Sequence, residues 1–403
     1  MFDTGNTGFM LVATSLVMLM TPGLAFFYGG LVGRKNVLTI MIQSFVSMGV
    51  TTILWFMVGY SLCFSGDVGG VIGNLDQAFL HGINVNSAFG TAGIPLFVFV
   101  AYQMMFAIIT PALITGAFAN RVRFSAYLFF LVAWLIFVYF PMVHMIWGGG
   151  ILQQWGVEDF AGGIVVHNIA GMAALASVIF VGRRVFQDKG PHSIPLVALG
   201  TGLLWFGWYG FNAGSELSVN AVTATAFLNT DIAASFAGVV WLIMAWIFEK
   251  KPKFLGLLTG AVAGLATITP AAGFVTPTSA AIIGIAAGAI CYFAISFRTR
   301  MNLDDALDVW GVHGVGGFLG ILCLGLMADA SVNAAGVNGL FLGNASFFLK
   351  ELVAAVFSSV YAFAISYAML WVINKITTVK VTRQDEETGL DAALHGENAY
   401  EMI

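Results

Sequence analysis

The chain has 403 residues, of which 59% are hydrophobic and only 9% are charged, and it carries a net charge of −4. A soluble protein of this length carries roughly a quarter charged residues, so lipid must solvate much of this surface, and no basic patch suggests nucleic acid as a partner. The three cysteines, Cys63, Cys291 and Cys323, lie in apolar runs without a CxxC pair, so neither a disulfide nor a metal centre is expected.

Eleven apolar stretches follow one another, each near the length of about 20 residues that a membrane-spanning helix needs. Barrel strands are excluded because the stretches lack alternation of polar and apolar residues. The first stretch has no basic region before it and no clear cleavage site, so we expect a retained helix rather than a signal peptide. The predicted helices are 8–32, 37–62, 93–118, 124–146, 161–182, 194–214, 222–248, 254–273, 278–297, 309–328 and 347–373.

Lysine and arginine follow every odd-numbered helix, including Lys189 after the fifth. The exits of the even-numbered helices are acidic, with Lys350 as the basic exception. The positive-inside rule makes the basic side cytoplasmic. We therefore expect the N-terminus outside and the C-terminus in the cytoplasm.

Two histidines lie inside apolar segments, His167 in the fifth helix and His313 in the tenth. Halves of five helices must run in opposite directions, which is the arrangement of inverted repeats that share a central substrate site. Asp159 stands eight residues before His167 and Asp308 five before His313, so the match is imperfect, and accidental placement is the alternative. The predicted fold is all-α: a polytopic membrane protein with eleven transmembrane helices, in two inverted five-helix repeats plus a closing helix.

The composition changes near residue 374, where a charged and polar segment begins. We predict a transmembrane domain over 1–373 and a cytoplasmic regulatory tail over 374–403. The tail is either disordered or docked on the basic loops.

Six blocks of sequence carry a family resemblance: TPGLAFFYGGLVGRKN, HMIWGGGIL, EDFAGGIVVH, WFGWYGFNAGS, DVWGVHGVGG and GLDAALHGENAY. Together, and in this order, they resemble the Amt/Mep branch of the Amt–Mep–Rhesus superfamily of ammonium transporters, over essentially the whole chain. The residues alone indicate only a polytopic channel or transporter with a histidine-lined path.

The resemblance implies that Trp147, Phe106 and Ser215 form an outer vestibule that collects ammonium. Aromatic faces attract small cations, and a serine hydroxyl accepts a hydrogen bond from an N–H donor, which K⁺ lacks. Without the resemblance, Trp147 reads as an interfacial belt residue and Ser215 as a helix cap.

Phe106 and Phe211 match the stacked phenylalanines that close the family's pore below the vestibule. A dry aromatic constriction excludes hydrated ions, because stripping water from a charge is costly. The alternative for both is ordinary helix packing.

His167 and His313 match the family's paired pore histidines. The resemblance implies that the rings lie edge to edge and share an N–H···N hydrogen bond, which needs neutral rings. A purely structural pair is the alternative. A metal site is not expected, because no third ligand is evident nearby.

Asp159 matches an acidic residue near the vestibule. It either lends a negative field that favours the cation or caps the fifth helix, and we favour the cap. Trp208 and Trp310 adjoin pore motifs and are expected to line or back the lumen. Asp308 is expected to cap the tenth helix.

Two residues depart from the pattern. Asn120 stands where many relatives carry Glu. The loss of the Glu side chain would weaken a contact with the tail or the loops. Asp231 lies inside the seventh helix without an evident partner, and protonation, a bond to Asn229 or Thr230, or a subunit contact would each relieve its cost.

The expected function is ammonium transport. NH₄⁺ binds outside and loses a proton, and NH₃ passes the histidines with or without a separate H⁺ relay. The resemblance implies a homotrimer in the plasma or inner membrane, a PII-type signalling protein on the cytoplasmic face, methylammonium as an analogue, no cofactor and no enzymatic activity. An ammonium sensor, a Rhesus-type gas channel and an intramembrane hydrolase are the alternatives, the last disfavoured because no GxSxG is present.

Overall fold

The computed structural model of the chain describes residues 2–187 and 190–400, which leaves Lys189 outside the described part. Within these ranges ten helices are long and apolar enough to cross a membrane, and an eleventh apolar helix is shorter. We number them α1 Thr4–Leu31, α2 Val37–Phe64, α3 Leu96–Ile114, α4 Phe124–Trp155, α5 Gly163–Val181, α6 Ile194–Glu216, α7 Ala221–Glu249, α8 Phe254–Ile268, α9 Pro277–Arg300, α10 Trp310–Met327 and α11 Ala345–Ile376. The predicted all-α membrane fold is confirmed.

Several boundaries differ from the sequence prediction by a few residues, and three of the differences have a local cause. α4 continues to Trp155 after a break near residues 148–150. α8 ends early at Ile268, where Pro270 has no N–H to continue the helical bonds. α3 begins at Leu96, because the residues before it pair as a short ribbon of two strands, β1 Ala88–Phe89 and β2 Ile94–Pro95.

Helices in matching positions of the two halves pack together. α1 lies along α6, and α5 meets α10. α11 closes the arrangement against both α5 and α10, while α7, α8 and α9 pack on one another. The pairing is that of two inverted repeats around a shared centre.

Both central helices begin with a wide π-helical turn, Gly163–Asn168 in α5 and Trp310–Gly314 in α10. Such turns are frequent at functional sites, since they redirect side chains out of the regular α-helical pattern. Each of the two turns contains one of the intramembrane histidines.

The described part of the tail is docked. It forms a β-bridge between Lys380 and Val122 and then a short helix, α12 Arg383–Thr388, followed by a single π turn. The acidic side chain of Glu386 accepts a hydrogen bond from Val185 N at 2.6 Å, in the loop after α5.

Candidate conduction site

The crossing of α5 and α10 is built from glycine. A Cβ placed on Gly171 would lie 2.1 Å from the Cα of Gly314, so the two backbones touch and tolerate no side chain there. Small residues permit such close helix approach in membranes. The contact brings the preceding turns of the two helices, and with them the two histidines, to one place.

His167 and His313 are in direct contact. Their Nδ1 atoms are 3.2 Å apart, and their ring planes differ by 21°. Both side chains are buried in the protein. A hydrogen bond between two Nδ1 atoms needs one to donate and the other to accept, so at least one ring must lack a proton on Nδ1. The Nε2 atom of His167 has no hydrogen-bond partner among the described residues.

Trp208 stacks on His167 with 5.4 Å between ring centroids, and its Nε1 donates to Thr269 Oγ1 at 3.0 Å. The central cavity around the histidines measures about 10 Å³, room for about one water molecule. Its lining is almost entirely apolar and consists of Met20, Leu24, Phe27, Ile109, Leu113, Val166, His167, Leu204, Trp208, Phe211, Val262 and His313. Trp310 is not among these residues.

A second cavity of about 260 Å³ lies on the other side of Phe106 and Phe211 from the central cavity. It is lined by Phe106, Trp147, Ser215 and Asp159, among others. Trp147 meets Phe106 edge to face at 6.0 Å. Ser215 donates its hydroxyl proton to the Phe211 carbonyl at 2.9 Å, which leaves its oxygen lone pairs for accepting hydrogen bonds.

Phe106 and Phe211 separate the two cavities. Their ring centroids are 4.2 Å apart, and each side chain is 1% exposed. Phe106 lines the larger cavity and Phe211 the central one. On the opposite side of the histidines a third cavity of about 200 Å³ is lined by His313, Tyr28 and Asp308. The three cavities therefore lie in series.

Asp159 holds the beginning of α5. Its carboxylate accepts hydrogen bonds from four consecutive backbone N–H groups, those of Gly162, Gly163, Ile164 and Val165, at 2.6 to 3.1 Å. Burial raises the pKa of Asp159, and the four backbone N–H donors lower it. Burial is the larger effect, so the pKa of Asp159 is about 6. The Asp159 carbonyl also accepts a hydrogen bond from the indole N–H of Trp147 at 2.7 Å, which joins the cap to the wall of the second cavity.

The acid that matches Asp159 in the second half is Asp305. It lies eight residues before His313 and accepts from Val309 N at 3.1 Å and Trp310 N at 2.8 Å. The expectation that Asp308 caps α10 is wrong, because Asp308 instead forms an ion pair with Arg298. The equal spacing from acid to histidine was a signal in the sequence that could have identified Asp305.

Asp231 has partners on α6. Its Oδ1 accepts from Tyr209 OH at 2.7 Å and Trp205 Nε1 at 3.2 Å. Of the three alternatives for Asp231, the bond to Asn229 or Thr230 is wrong, since those side chains bond elsewhere. Because these aromatic donors lie on a neighbouring helix, 22 and 26 residues from Asp231 in sequence, no short-range spacing reveals them.

Asn120 adopts φ 66° in the turn after α3 and is buried. Asparagine visits this left-handed region more readily than glutamate does, so the turn itself accounts for the residue type. Sequence reasoning also missed Tyr102, whose hydroxyl donates to the carbonyls of Gly210 and Phe211 at 2.9 Å, beside Ser215. A tyrosine in an apolar helix carries no signal of such a contact.

Comparisons of sequence match the chain along its length. The model of the Ammonium Transporter Family matches residues 8–400. An ammonium transporter of Bacillus subtilis is 44% identical over 399 residues, which cover 98% of each chain. Ammonium transporter Amt1 of Archaeoglobus fulgidus is 43% identical over 399 residues, covering 98% of this chain and 99% of the relative.

Solved structures share the fold. The crystal structure of Saccharomyces cerevisiae Mep2 aligns with a TM-score of 0.89 at 32% identity, over 95% of this chain and 91% of that one. A structure described as Sensor Amt Protein aligns with a TM-score of 0.89 at 30% identity, over 97% and 98% of the two chains. With sequence and fold matched from end to end, this multi-pass membrane protein belongs to the ammonium transporter family.

Proposed function

We propose that the protein takes up ammonium by binding NH₄⁺ in the 260 Å³ vestibule, removing a proton, and passing NH₃ through the central cavity. The observation that carries the proposal is the series of three cavities, with a dry constriction at Phe106 and Phe211 and the contact of His167 with His313 behind it.

The vestibule suits a small cation that donates hydrogen bonds. Trp147 and Phe106 present aromatic rings, which attract a cation by about 1–2 kcal/mol. The Ser215 oxygen is a hydrogen-bond acceptor for N–H groups, which distinguishes ammonium from K⁺. We assign recruitment to these three residues.

The central cavity suits a neutral molecule. A bare NH₄⁺ ion in a space of about 10 Å³ with an apolar lining would pay a large desolvation cost, whereas NH₃ would not. The ring nitrogens of His167 and His313 then offer polar contacts to NH₃ or to a relayed proton. We assign net ammonium uptake with separate movement of NH₃ and H⁺.

The decisive test uses purified protein in proteoliposomes with an imposed ammonium gradient, recorded as electrical current and as methylammonium uptake. Both signals are expected in the wild type, and His167→Ala or His313→Ala should reduce methylammonium flux about tenfold or more by removing the polar contacts from the lumen. His81→Ala, on an exposed loop residue, is the matched control and should change nothing. NH₃ flux without current would refute the electrogenic form, and normal flux in both histidine variants would refute the pore assignment.

We further assign the basic loops and the tail to the cytoplasmic side of a plasma or inner membrane, because lysine and arginine are concentrated there. A homotrimer, each subunit with its own pore, and a PII-type protein at the cytoplasmic mouth complete the proposal. Crosslinking should give trimers in membranes. A pull-down with the cognate PII-type protein that stays empty in every nucleotide state would remove that partner.

A further inference from the structure

A third histidine is buried in the transmembrane region, outside the pathway of the three cavities. His144 is 0% exposed and precedes Trp147 by three residues on α4. It lies one helical turn before the break in α4 near residues 148–150. The proposed transport pathway does not use it.

Both ring nitrogens of His144 face hydrogen-bond acceptors. Nδ1 lies 2.9 Å from the Cys63 carbonyl oxygen, and Nε2 lies 3.1 Å from Asp67 Oδ1. A neutral imidazole has one donor and one acceptor, so only the imidazolium form satisfies both contacts. The hydrogen bond with His144 lowers the pKa of Asp67 most, and the hydrogen bond from the Gly70 N–H lowers it further, so Asp67 is a carboxylate.

The titratable groups on the segments packed around this end of α4 include, among the described residues, Tyr60, Cys63, Tyr139 and His167, together with the acids Asp67, Asp76 and Asp159. The first four are uncharged near neutral pH in their ordinary forms. Among these acids, Asp67 is the one whose carboxylate contacts the His144 ring, so it compensates a cation there directly.

The ring lies at a junction of three chain segments. A Cβ on Gly148 would lie 2.0 Å from the Cys63 carbonyl and 2.8 Å from His144 Nδ1, so only glycine fits there. Gly150 donates its N–H to the His144 carbonyl at 2.9 Å. On the loop side, the Gly70 carbonyl accepts from Ile151 N at 2.8 Å, while Gly70 N donates to Asp67. The end of α2, the loop after it and the broken end of α4 are thus joined around one side chain.

Trp147 is fixed at its backbone by this junction and at its indole ring by Asp159. Its backbone lies between His144 and Gly148, inside the junction, and its indole N–H is fixed on the Asp159 carbonyl. The ring edge meets Phe106 in the vestibule. A shift of the junction would therefore move the ring that we assign to ammonium recruitment.

We infer that His144 is a positioning residue: an imidazolium held between Asp67 and the Cys63 carbonyl that fixes Trp147 in the vestibule. The inference deepens the proposed function and rests on it. It predicts that the ion pair tunes the apparent affinity for ammonium rather than the rate of conduction.

The first test measures ammonium uptake by proteoliposomes at several concentrations. His144→Gln and Asp67→Ala should raise KM about threefold or more and leave the maximal rate within about twofold, because recruitment is disturbed and the conduction path is intact. His81→Gln, a histidine exposed on a loop of the same face, is the control and should match the wild type. Since Asp67 is 45% exposed, its variant is expected to fold even if His144→Gln does not.

The second test detects the proton directly, by ¹⁵N solid-state NMR of histidine-labelled protein in lipid at about pH 7.5. One imidazolium signal should be present in the wild type and in His81→Gln, and it should be absent in His144→Gln and in Asp67→Ala. This measurement does not depend on transport.

An imidazolium signal absent from the wild type would overturn the inference, and so would an unchanged KM in both variants. A fall in maximal rate at constant KM would overturn it too, since it would place the effect in the conduction path. A wild-type protein that moves no ammonium would instead refute the proposed function, while the NMR result would still report on the ion pair.

Discussion

At the residue scale, two aspartates do the same work in the two halves. Asp159 and Asp305 each stand eight residues before an intramembrane histidine and accept backbone N–H groups at the start of its helix. The first N–H groups of a helix have no partner within the helix, and a carboxylate there also meets the positive end of the helix dipole. Each cap thereby fixes the turn from which an intramembrane histidine projects.

The raised pKa of Asp159 predicts a pH-dependent stability. Its folded-state pKa of about 6 lies above the ordinary 3.8, so the folded protein holds this proton more tightly than the unfolded chain does. The free energy of unfolding that depends on Asp159 should therefore fall as pH rises through this window, by about 3 kcal/mol in total, and stay level above it.

Thermal unfolding of wild type and Asp159→Asn in detergent, between about pH 4 and pH 8, measures this. Asn does not titrate, so all other groups cancel in the difference between the two proteins. The stability of wild type relative to the variant should decrease with rising pH. A relative stability that increases with pH would contradict the prediction.

At the scale of elements, the crossing of α5 and α10 decides whether the site exists. The histidine contact depends on backbones that touch at Gly171 and Gly314, one turn beyond His167 and directly after His313. α11 covers the outside of this pair, and Asn168 donates its amide to Ser358 Oγ at 2.8 Å across the interface. The site is a product of helix packing rather than of any one segment.

Gly171→Ala tests the crossing. Its methyl group has no space, so we expect the two helices to separate, a destabilisation of about 1–3 kcal/mol, and loss of most methylammonium uptake. Gly202→Ala is the matched control in α6, where a Cβ would meet nothing within 4 Å. It should be neutral or stabilising by up to about 1 kcal/mol, as alanine is the better helix former.

Melting temperature in detergent and uptake in proteoliposomes would be measured for both glycine variants. If Gly171→Ala melts and transports like Gly202→Ala, backbone contact is not what holds the two histidines together.

At the scale of the whole molecule, the tail completes the face of the protein that the basic loops form. α2 begins without a side-chain cap of its own, since Asn36 makes no such bond. Asp391 supplies the cap from the tail, accepting from Leu38 N at 3.0 Å and from Thr39 N at 2.7 Å while remaining 2% exposed. The last described residues reach His192, whose Nε2 lies 3.0 Å from Tyr400 OH.

Asp391→Ala should release the tail, because charge-assisted bonds to two backbone N–H groups are lost from a buried position. We expect trypsin to cleave at Lys380 or Arg383 about tenfold faster or more, since cleavage follows the population of the open form. Glu387→Ala is the matched control, because this exposed residue contributes its carbonyl, which accepts from Lys35 Nζ, and the substitution keeps the carbonyl. Equal cleavage of both variants would show that Asp391 does not hold the tail.

The sequence by itself determined the membrane class, the helix order and the family. Apolar length and the placement of lysine and arginine are properties of each segment and its flanks, so they can be read without tertiary structure. The histidines were evident for the same reason, since an ionisable residue in an apolar run is conspicuous.

Only the tertiary structure decided the partners across helices. Tyr209 and Trp205 on Asp231, the Cys63 carbonyl on His144, and Asp391 on α2 join residues that are distant in sequence or lie on different segments. Hydrogen bonds in lipid must be satisfied within the protein, but any of several polar groups can satisfy them. Which group does so depends on how the helices cross, and that is set by the packing of all eleven together.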